Sequence, residues 1–285
     1  MTKCVSQQAQ ARWEKPLRAI QAKGQMHEGV FQLDCLLSVL ADIKREHVNM
    51  FELGAGYGRM CLHLAGAIDY KVIPIAPKSY RCLAVEGDLT HYQWIKEHFE
   101  IQNINGIAVH GPVSDRNGRT RFIVPPDPAS SYGPAIDPAN YREHLNIETL
   151  RRLISSRKIP SMAALLGLIR TYRRNFKRKT TKTPMYTVDH LIHTYGFDHV
   201  DIVQMDVQSA EYMVMLGATK SIRNDLIDYV LIDTHKSELN DALRRLLSPK
   251  FDLIVDMYPR SVGTVAGFPP IGFHEGIQLY KRKNI

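Results

Sequence analysis

The sequence lacks the features that would place it in a membrane or in a secreted, disulfide-rich class. No apolar run reaches the roughly 18 residues that a membrane-spanning helix needs. Residues 1–8 contain no apolar segment of the kind found in a secretory signal, and there is no internal repeat or low-complexity segment. The sequence therefore predicts a globular protein of the cytoplasm.

Cysteine is scarce as well. The four cysteines, Cys4, Cys35, Cys61 and Cys82, form no C-x-x-C pair, and most of them lie in apolar runs. Zinc sites and disulfide frameworks usually show paired spacing. We therefore expect reduced cysteines that contribute to the core.

Acidic residues are absent from one long window. Residues 151–182 contain 11 of the 37 basic residues and no Asp or Glu, so the other 26 basic residues are outnumbered by the 29 acidic ones. The net charge of +8 is therefore local to this window. A basic run without compensating acids favours attraction to an anionic partner.

Strand-like and helix-like patterns alternate on both sides of the basic window. We predict helices at 12–23, 31–45, 58–67, 89–101, 188–195, 210–216 and 239–247, and strands at 49–53, 82–86, 106–110, 119–124, 200–205, 229–232, 251–257 and 276–281. Such alternation builds a parallel sheet with right-handed crossovers. With 44% hydrophobic residues, we expect one α/β domain with N-terminal helices (1–47), two halves of a sheet (48–124 and 187–285) and an insertion (125–186).

Residues 50–59, MFELGAGYGR, carry the most specific motif. A short apolar strand ends at Glu52 and is followed by glycines at alternate positions, Gly54, Gly56 and Gly58. Glycines let the backbone turn sharply and lie against a ligand, and Glu52 is placed to meet a cationic amino group. A dinucleotide loop, G-x-G-x-x-G, would need glycine where Arg59 stands. The spacing therefore favours S-adenosylmethionine, bound by residues 54–58, which include Ala55 and Tyr57.

The second half of this cofactor site is expected at the end of the next strand. Residues 82–85 are apolar and are followed by Glu86 and Gly87. A carboxylate at this place accepts hydrogen bonds from both ribose hydroxyls of a nucleoside. The seven main strands then match a class I methyltransferase fold, a Rossmann-like sheet with six parallel strands and an antiparallel last strand.

The chain resembles the FkbM-type S-adenosylmethionine-dependent methyltransferases. The resemblance runs through 51–59, 83–87, 107–109, 115–118 and Phe122. It is most specific in 188–191, 200–211 and 216–218, where VDHL, VDIVQMDVQSAE and LGA are similar to the family's "D-x-L … h-D-h-h-K-h-D-h-E-G-A-E … L-x-G-A" signature. Ile232-Asp233-Thr234-His235 is similar to its E-x-H strand end. Two departures from the signature involve three residues: Gln204 replaces Lys, and Gln208-Ser209 replace Glu-Gly. The resemblance implies methylation of hydroxyls on sugars, polyketides or glycans.

Asp206 and His235 are the predicted catalytic residues. Both follow strands whose carboxyl ends border the ligand crevice, and Asp206 is also a predicted cofactor contact. A neutral imidazole can accept a hydroxyl proton near pH 7 while a carboxylate orients it, so we predict His235 as the general base. Asp206, Asp233 and His235 together also offer ligands to a divalent metal such as Mg²⁺. Because there is no H-x-H or D-x-D-x-D cluster, the signal for a metal is weak, no metal ligand is assigned beyond these three residues, and the use of a divalent metal stays open.

The insertion is interpreted as a lid that binds the acceptor. A basic stripe that includes Arg170, Arg173 and Arg174 runs beside an apolar stripe at helical spacing, and Tyr132 lies in the preceding proline-rich loop. We predict these four residues as acceptor contacts and the acceptor as a small molecule or glycan, anionic or lipid-linked. An amphipathic helix of this kind also fits contact with a membrane surface.

Two alternatives stay open at this stage. RNA 2′-hydroxyl methylation is suggested by the basic window, although an amino methyltransferase would need an Asn/Asp-Pro-Pro-aromatic loop where 205–208 read MDVQ. The other alternative is a binding module that keeps the fold without catalysis. Nucleic acid is not the expected partner, and the sequence sets no oligomeric state.

Overall fold

The computed structural model describes residues 28–71, 74–124, 127–129, 136, 179–263 and 271–284. The predicted helix at 12–23 and the predicted insertion helix lie outside these residues. The helices are α1 (Glu28–Asp42), α2 (Arg59–Asp69), α3 (Leu89–Ile101), α4 (Val188–Thr194), α5 (Glu211–Leu216), α6 (Thr219–Arg223) and α7 (Ser237–Leu247). The strands are β1 (His47–Leu53), β2 (Ser79–Glu86), β3 (Gly106–His110), β4 (Gly118–Ile123), β5 (Thr180–Met185), β6 (Val200–Met205), β7 (Ile227–Thr234), β8 (Phe251–Met257), β9 (Ser261–Gly263), β10 (Ile271–Phe273) and β11 (Gly276–Arg282).

A seven-stranded sheet with order β3-β2-β1-β6-β7-β11-β8 forms the centre of the fold. β11 is antiparallel to both of its neighbours, and the other six strands run in one direction. This is the predicted class I methyltransferase sheet, and the fold prediction is confirmed. The strand order reverses between β1 and β6, which places a ligand crevice outside the carboxyl ends of these two strands.

The central strands are buried because helices cover both faces of the sheet. Every residue of β6 and β7 is buried, which explains why both strands are mainly apolar. One apolar cluster contains α1, α2 and one face of β1, and a second contains α4, α7 and the other face of the same strand. Cys35, Cys61 and Cys82 are free and buried, as predicted.

A separate two-stranded sheet lies outside the main one. β4 was predicted as a strand, but its partner β5 falls inside the segment predicted as a loop and helical insertion. In β5 the polar and proline-containing sequence TTKTPM carries no alternating apolar pattern, so the pairing depends on β4. None of the helices in the described part of the chain combines the length and apolar character that crossing a bilayer requires.

Candidate functional site

The glycine loop, residues 54–58, leaves β1 at the point where the strand order reverses. Gly54, Gly56 and Gly58 all have positive φ angles of 75°, 57° and 83°. A Cβ on Gly54 would lie 1.9 Å from the carbonyl oxygen of Asp206. Only glycine fits at position 54, and its small size lets the loop pack directly against the end of β6.

Glu52 is buried at the end of β1, where it lines the cleft. Its two carboxylate oxygens accept hydrogen bonds from the backbone N–H groups of Met60 and Cys61, at 2.9 and 2.8 Å, in the first turn of α2. Burial raises the pKa of Glu52, and these hydrogen bonds oppose the rise. The carboxylate thus fixes the start of α2 relative to the loop, and its predicted contact with an amino group stays a prediction.

Glu86 ends β2 and joins the two halves of the predicted cofactor site. Its Oε2 accepts a hydrogen bond from the backbone N–H of Gly56 at 2.8 Å, and its Oε1 accepts one from the backbone N–H of Asp88 at 2.7 Å. Burial raises the pKa of Glu86 to about 7, although the hydrogen bonds from Asp88 and Gly56 lower it. Each carboxylate oxygen has a second lone pair, so ribose hydroxyls can still donate to it.

A cleft of about 360 Å³ contains most of the predicted cofactor residues. It is lined by Glu52, Gly54, Ala55, Gly56, Tyr57, Glu86, Gly87 and Asp206. Gly58 instead forms the N-cap of α2. The volume falls in the range of small-molecule sites, and the predicted residues from β1, β2 and β6 come together in it.

Sequence reasoning missed several other cleft residues. They include Gln204 and Val207, which lie close to Asp206 in the chain, and His91, Phe122 and Ile136, which come from other elements. Gln204 and Val207 could have been found from their place at the same strand end. Phe122, in β4, reaches the cleft because its ring packs on Gly87, where an added Cβ would lie 2.4 Å from the ring. The local sequence pattern does not predict this contact.

Asp206 and His235 meet in a cluster of carboxylates around one imidazole. Nε2 of His235 lies 3.4 Å from Oδ1 of Asp206 and 3.2 Å from Oε1 of Glu275. Nδ1 of His235 lies 2.8 Å from Oε1 of Glu211, a fully buried residue that begins α5. Asp206 lines the cleft and His235 lies behind it, so the cluster opens to the cleft through Asp206. We call Asp206, Glu211, His235 and Glu275 the acid–histidine cluster.

The cluster sets the protonation of its members. Burial lowers the pKa of His235. The hydrogen bond to Glu211 and the nearby carboxylates of Glu275 and Asp206 have the larger effect, and together they raise the pKa to about 10. Burial raises the pKa of Asp206 to about 7, with His235 acting in the opposite direction. The raised pKa favours the protonated imidazole in the protein without a bound ion, whereas the prediction of His235 as the general base assumed a neutral imidazole. Its catalytic role stays a prediction.

Asp233 does not join the acid–histidine cluster, contrary to the predicted metal ligand set. Its carboxylate accepts hydrogen bonds from Gln32 at 2.9 Å and from Gln204 at 3.3 Å. In this cluster, the ligand atoms of Asp206, His235 and Glu275 lie within 4.8 Å of one another. Glu275 takes this place because β11 pairs with β7 so that Gly276 is opposite Thr234, which puts the preceding residue beside His235.

The predicted acceptor residues Tyr132, Arg170, Arg173 and Arg174 lie outside the described residues. No geometry for the acceptor end of the site follows from them. The cofactor end and the acid–histidine cluster are therefore the parts of the site that the structure describes.

Comparison with known families decides the assignment of the chain. The model of the methyltransferase FkbM domain matches residues 82–255, more than half of the sequence. The chain belongs to this family. The match covers Glu86, Asp206 and His235, whereas the glycine loop precedes it. This FkbM-type chain is thus a methyltransferase, and the predicted resemblance is confirmed.

Solved structures show distant likeness to this FkbM-type methyltransferase. The C-terminal domain of precorrin-6Y C5,15-methyltransferase from Rhodobacter capsulatus is 9% identical, with a TM-score of 0.42 over 91% of this chain and 92% of that one. The precorrin-6Y C5,15-methyltransferase from Geobacter metallireducens is 8% identical, with a TM-score of 0.40 over 87% and 86%. TrmK from M. capricolum, in complex with S-adenosyl-homocysteine, is 9% identical, with a TM-score of 0.34 over 87% and 67%. At these scores the likeness carries no functional inference, and among curated proteins no sequence matches the chain.

Proposed function

We propose that this protein transfers the methyl group of S-adenosylmethionine to a hydroxyl of a sugar, glycan or natural-product acceptor. The observation that carries the proposal is that the acid–histidine cluster opens, through Asp206, onto the same cleft that holds the glycine loop and Glu86. Membership in the FkbM methyltransferase family supports the methyl transfer itself.

The cofactor is proposed to lie along the carboxyl ends of β1, β2 and β6. Loop residues 54–57 provide a backbone surface without bulky side chains at Gly54 and Gly56, and Glu86 provides the ribose acceptor at the next strand end. Asp206 lies on the opposite side of the loop, since its backbone N–H bonds to the carbonyl of Leu53 at 2.9 Å. This order directs the sulfonium of the cofactor toward the acid–histidine cluster.

Methyl transfer from sulfur to oxygen is an in-line displacement. The hydroxyl oxygen supplies the electron pair for the new O–CH₃ bond, the C–S bond breaks, and S-adenosylhomocysteine leaves with the electron pair of the broken C–S bond. The hydroxyl proton must be lost as the bond forms, and a positioned acid–base group there contributes roughly 10²–10⁴ in rate. We propose that the proton is lost at the acid–histidine cluster, whose cleft-facing member is Asp206.

The test combines cofactor binding with methyl transfer to a panel of hydroxyl acceptors, using methyl-labelled cofactor. Gly56→Val should abolish S-adenosylhomocysteine binding in calorimetry, because a branched side chain would fill space in the loop and strain a positive φ. Asp206→Asn should lower turnover by roughly 10² or more. Cofactor affinity should change little, because the amide keeps the size of the carboxyl group and an acceptor oxygen at the predicted cofactor contact.

Other outcomes would overturn the proposal. Wild-type affinity for S-adenosylhomocysteine in Gly56→Val would show that the loop is not the cofactor site. Label found only on the 2′-hydroxyls of RNA would establish the nucleic-acid alternative. Absence of S-adenosylhomocysteine binding by the wild-type protein would establish a non-catalytic module.

We also propose that the acceptor is anionic or lipid-linked and docks on the basic window 151–182. The support is the charge of this window, 11 basic residues and no acid, within the segment between β4 and β6. Exposed charges are screened beyond about 8–10 Å at physiological salt, so the Michaelis constant for the acceptor should rise with salt while cofactor affinity stays constant. Changing Arg170, Arg173, Arg174 and Lys177 together to Gln should remove this salt dependence. An unchanged Michaelis constant at low salt would rule out the docking role.

A further inference from the structure

We propose that Asp206, His235 and Glu275 bind a divalent metal ion at the acceptor end of the cleft. This inference rests on the proposed function, since it says how the acid–histidine cluster would activate an acceptor hydroxyl. It rests first on geometry: one imidazole nitrogen and two carboxylate oxygens from the ends of β6 and β7 and the start of β11 lie within 4.8 Å of one another.

The spacing of the ligand atoms fits an octahedral ion. Nε2 of His235 is 3.4 Å from the Asp206 oxygen and 3.2 Å from the Glu275 oxygen. Adjacent ligands of an octahedral ion with bonds of about 2.1 Å are separated by roughly 3 Å, close to both distances. Mixed nitrogen and carboxylate ligands suit Mn²⁺, Fe²⁺ or Mg²⁺ more than softer ions.

The orientation of His235 is a second, independent observation. Nε2 is buried and faces the carboxylates of Asp206 and Glu275, at 3.4 and 3.2 Å. The opposite nitrogen, Nδ1, faces Oε1 of fully buried Glu211 at 2.8 Å. A carboxylate behind the imidazole is the arrangement that fixes the tautomer of metal-binding histidines and leaves Nε2 for the ion.

The negative charge of the acid–histidine cluster also favours a bound cation. Asp206, Glu211 and Glu275 place three carboxylates around one imidazole, and Oε2 of Glu211 is buried without a hydrogen-bond partner in the described residues. A divalent ion neutralises such a cluster more fully than a single proton on the imidazole does. Bound there, the ion would polarise the acceptor hydroxyl and ease the loss of its proton at the acid–histidine cluster as the oxygen attacks the methyl group.

A second group with ligand-like spacing provides the matched control. His199, Asp201 and Asp228 also lie within 4.8 Å of one another. There, however, Arg45 pairs with both carboxylates and Arg282 with Asp228, so the cationic partner is already supplied by the protein. We expect no metal at this second group.

The experiment titrates Mn²⁺ into chelator-treated protein and follows the free-ion signal by electron paramagnetic resonance. Wild type should bind one Mn²⁺ per chain. His235→Gln and Glu275→Gln should each weaken binding by at least tenfold, and Glu211→Gln should weaken it by roughly 10- to 100-fold as a positioning residue. His199→Gln should bind Mn²⁺ as the wild type does. S-adenosylhomocysteine binding, measured on the same samples, should be retained by all four variants, which shows that they are folded.

The outcomes separate this inference from the proposed function. A wild-type dissociation constant weaker than about 1 mM, or Mn²⁺ binding unchanged in both His235→Gln and Glu275→Gln, would overturn the metal site. If methyl transfer proceeds fully in chelator, the metal role fails while the methyltransferase proposal stands. If Mn²⁺ binds as expected but no hydroxyl is methylated, the metal site stands and the proposed reaction fails.

Discussion

Glu86 is a buried carboxylate whose charge depends on pH within the physiological range. Its pKa lies at about 7 because burial disfavours the ionised form. An ionised carboxylate is the better acceptor for two ribose hydroxyls, so we expect the affinity for S-adenosylhomocysteine to rise as the pH increases through 7. Between pH 6 and pH 8 the expected gain is about tenfold, measured by calorimetry.

The variants Glu86→Gln and Glu100→Gln test the source of this pH dependence. Glu86→Gln should bind more weakly at pH 8 and show little change with pH, whereas Glu100→Gln, at an exposed position on α3, should keep the wild-type profile. A tenfold pH effect that persists in Glu86→Gln would assign it to another group.

The same pKa also affects folding stability. Since the pKa of Glu86 in the folded protein lies above its ordinary value, the stabilisation from protonated Glu86 is present at low pH and declines as the pH rises through 7.

At the scale of elements, the packing of the glycine loop on the end of β6 depends on Gly54. A Cβ at this position would meet backbone atoms of Asp206 at 1.9 and 2.8 Å, and backbone cannot swing aside as a side chain can. Gly54→Ala is expected to lower the free energy of unfolding by roughly 3 kcal/mol, measured by urea denaturation, and to reduce cofactor affinity.

Gly196→Ala is the matched control for this element. Gly196 also has a positive φ, 63°, but a Cβ added there would meet no heavy atom within 4 Å. The control therefore carries the left-handed strain of about 1 kcal/mol without the clash, and it should leave cofactor affinity unchanged. Equal losses of stability in Gly54→Ala and Gly196→Ala would show that backbone strain alone, and not the close contact with β6, explains the loss in Gly54→Ala.

At the scale of the whole molecule, an ion network ties distant parts of the chain together at the amino ends of β6 and β7. Asp228 accepts hydrogen bonds from Arg45 at 2.8 Å and from Arg282 of β11 at 2.7 Å, and Arg45 also pairs with Asp201. Burial raises the pKa of Asp228. The hydrogen bonds from His199 and Arg282 have the larger effect, and the pKa falls to about 2.

Asp228→Asn is expected to destabilise the fold by about 3 kcal/mol at pH 7, because the variant leaves half-buried cations without their partner. The pKa of Asp228 is lower in the folded protein than in the unfolded chain. The stabilisation from its ionised carboxylate is therefore present above the unfolded pKa of about 3.8 and is lost as the pH falls toward 2. The difference in Tm between wild type and variant should therefore shrink between pH 4 and pH 2. Asp225→Asn, at an exposed pair with Lys250, should leave Tm unchanged at both pH values, and a constant difference for Asp228→Asn would contradict the assignment.

Much of the fold was predictable from local sequence. Mainly apolar runs at 49–53, 82–86 and 200–205 predicted three strands of the main sheet, because strands buried on both faces need mainly apolar sequence. β5 was not predicted, since its polar sequence becomes a strand only through pairing with β4. Side-chain type and periodicity are local properties, whereas the partner of an isolated strand is not.

For the site, the sequence by itself determined the glycine loop, Glu86 and Asp206, because backbone turns and strand ends set their positions directly. Only the tertiary structure decided that Glu275, and not Asp233, stands beside His235, since that depends on the register of β11 against β7. The protonation of His235 likewise depends on three carboxylates brought from separate elements. Electrostatic fields act through space and not along the chain, so the charge state of this cluster is fixed by the fold.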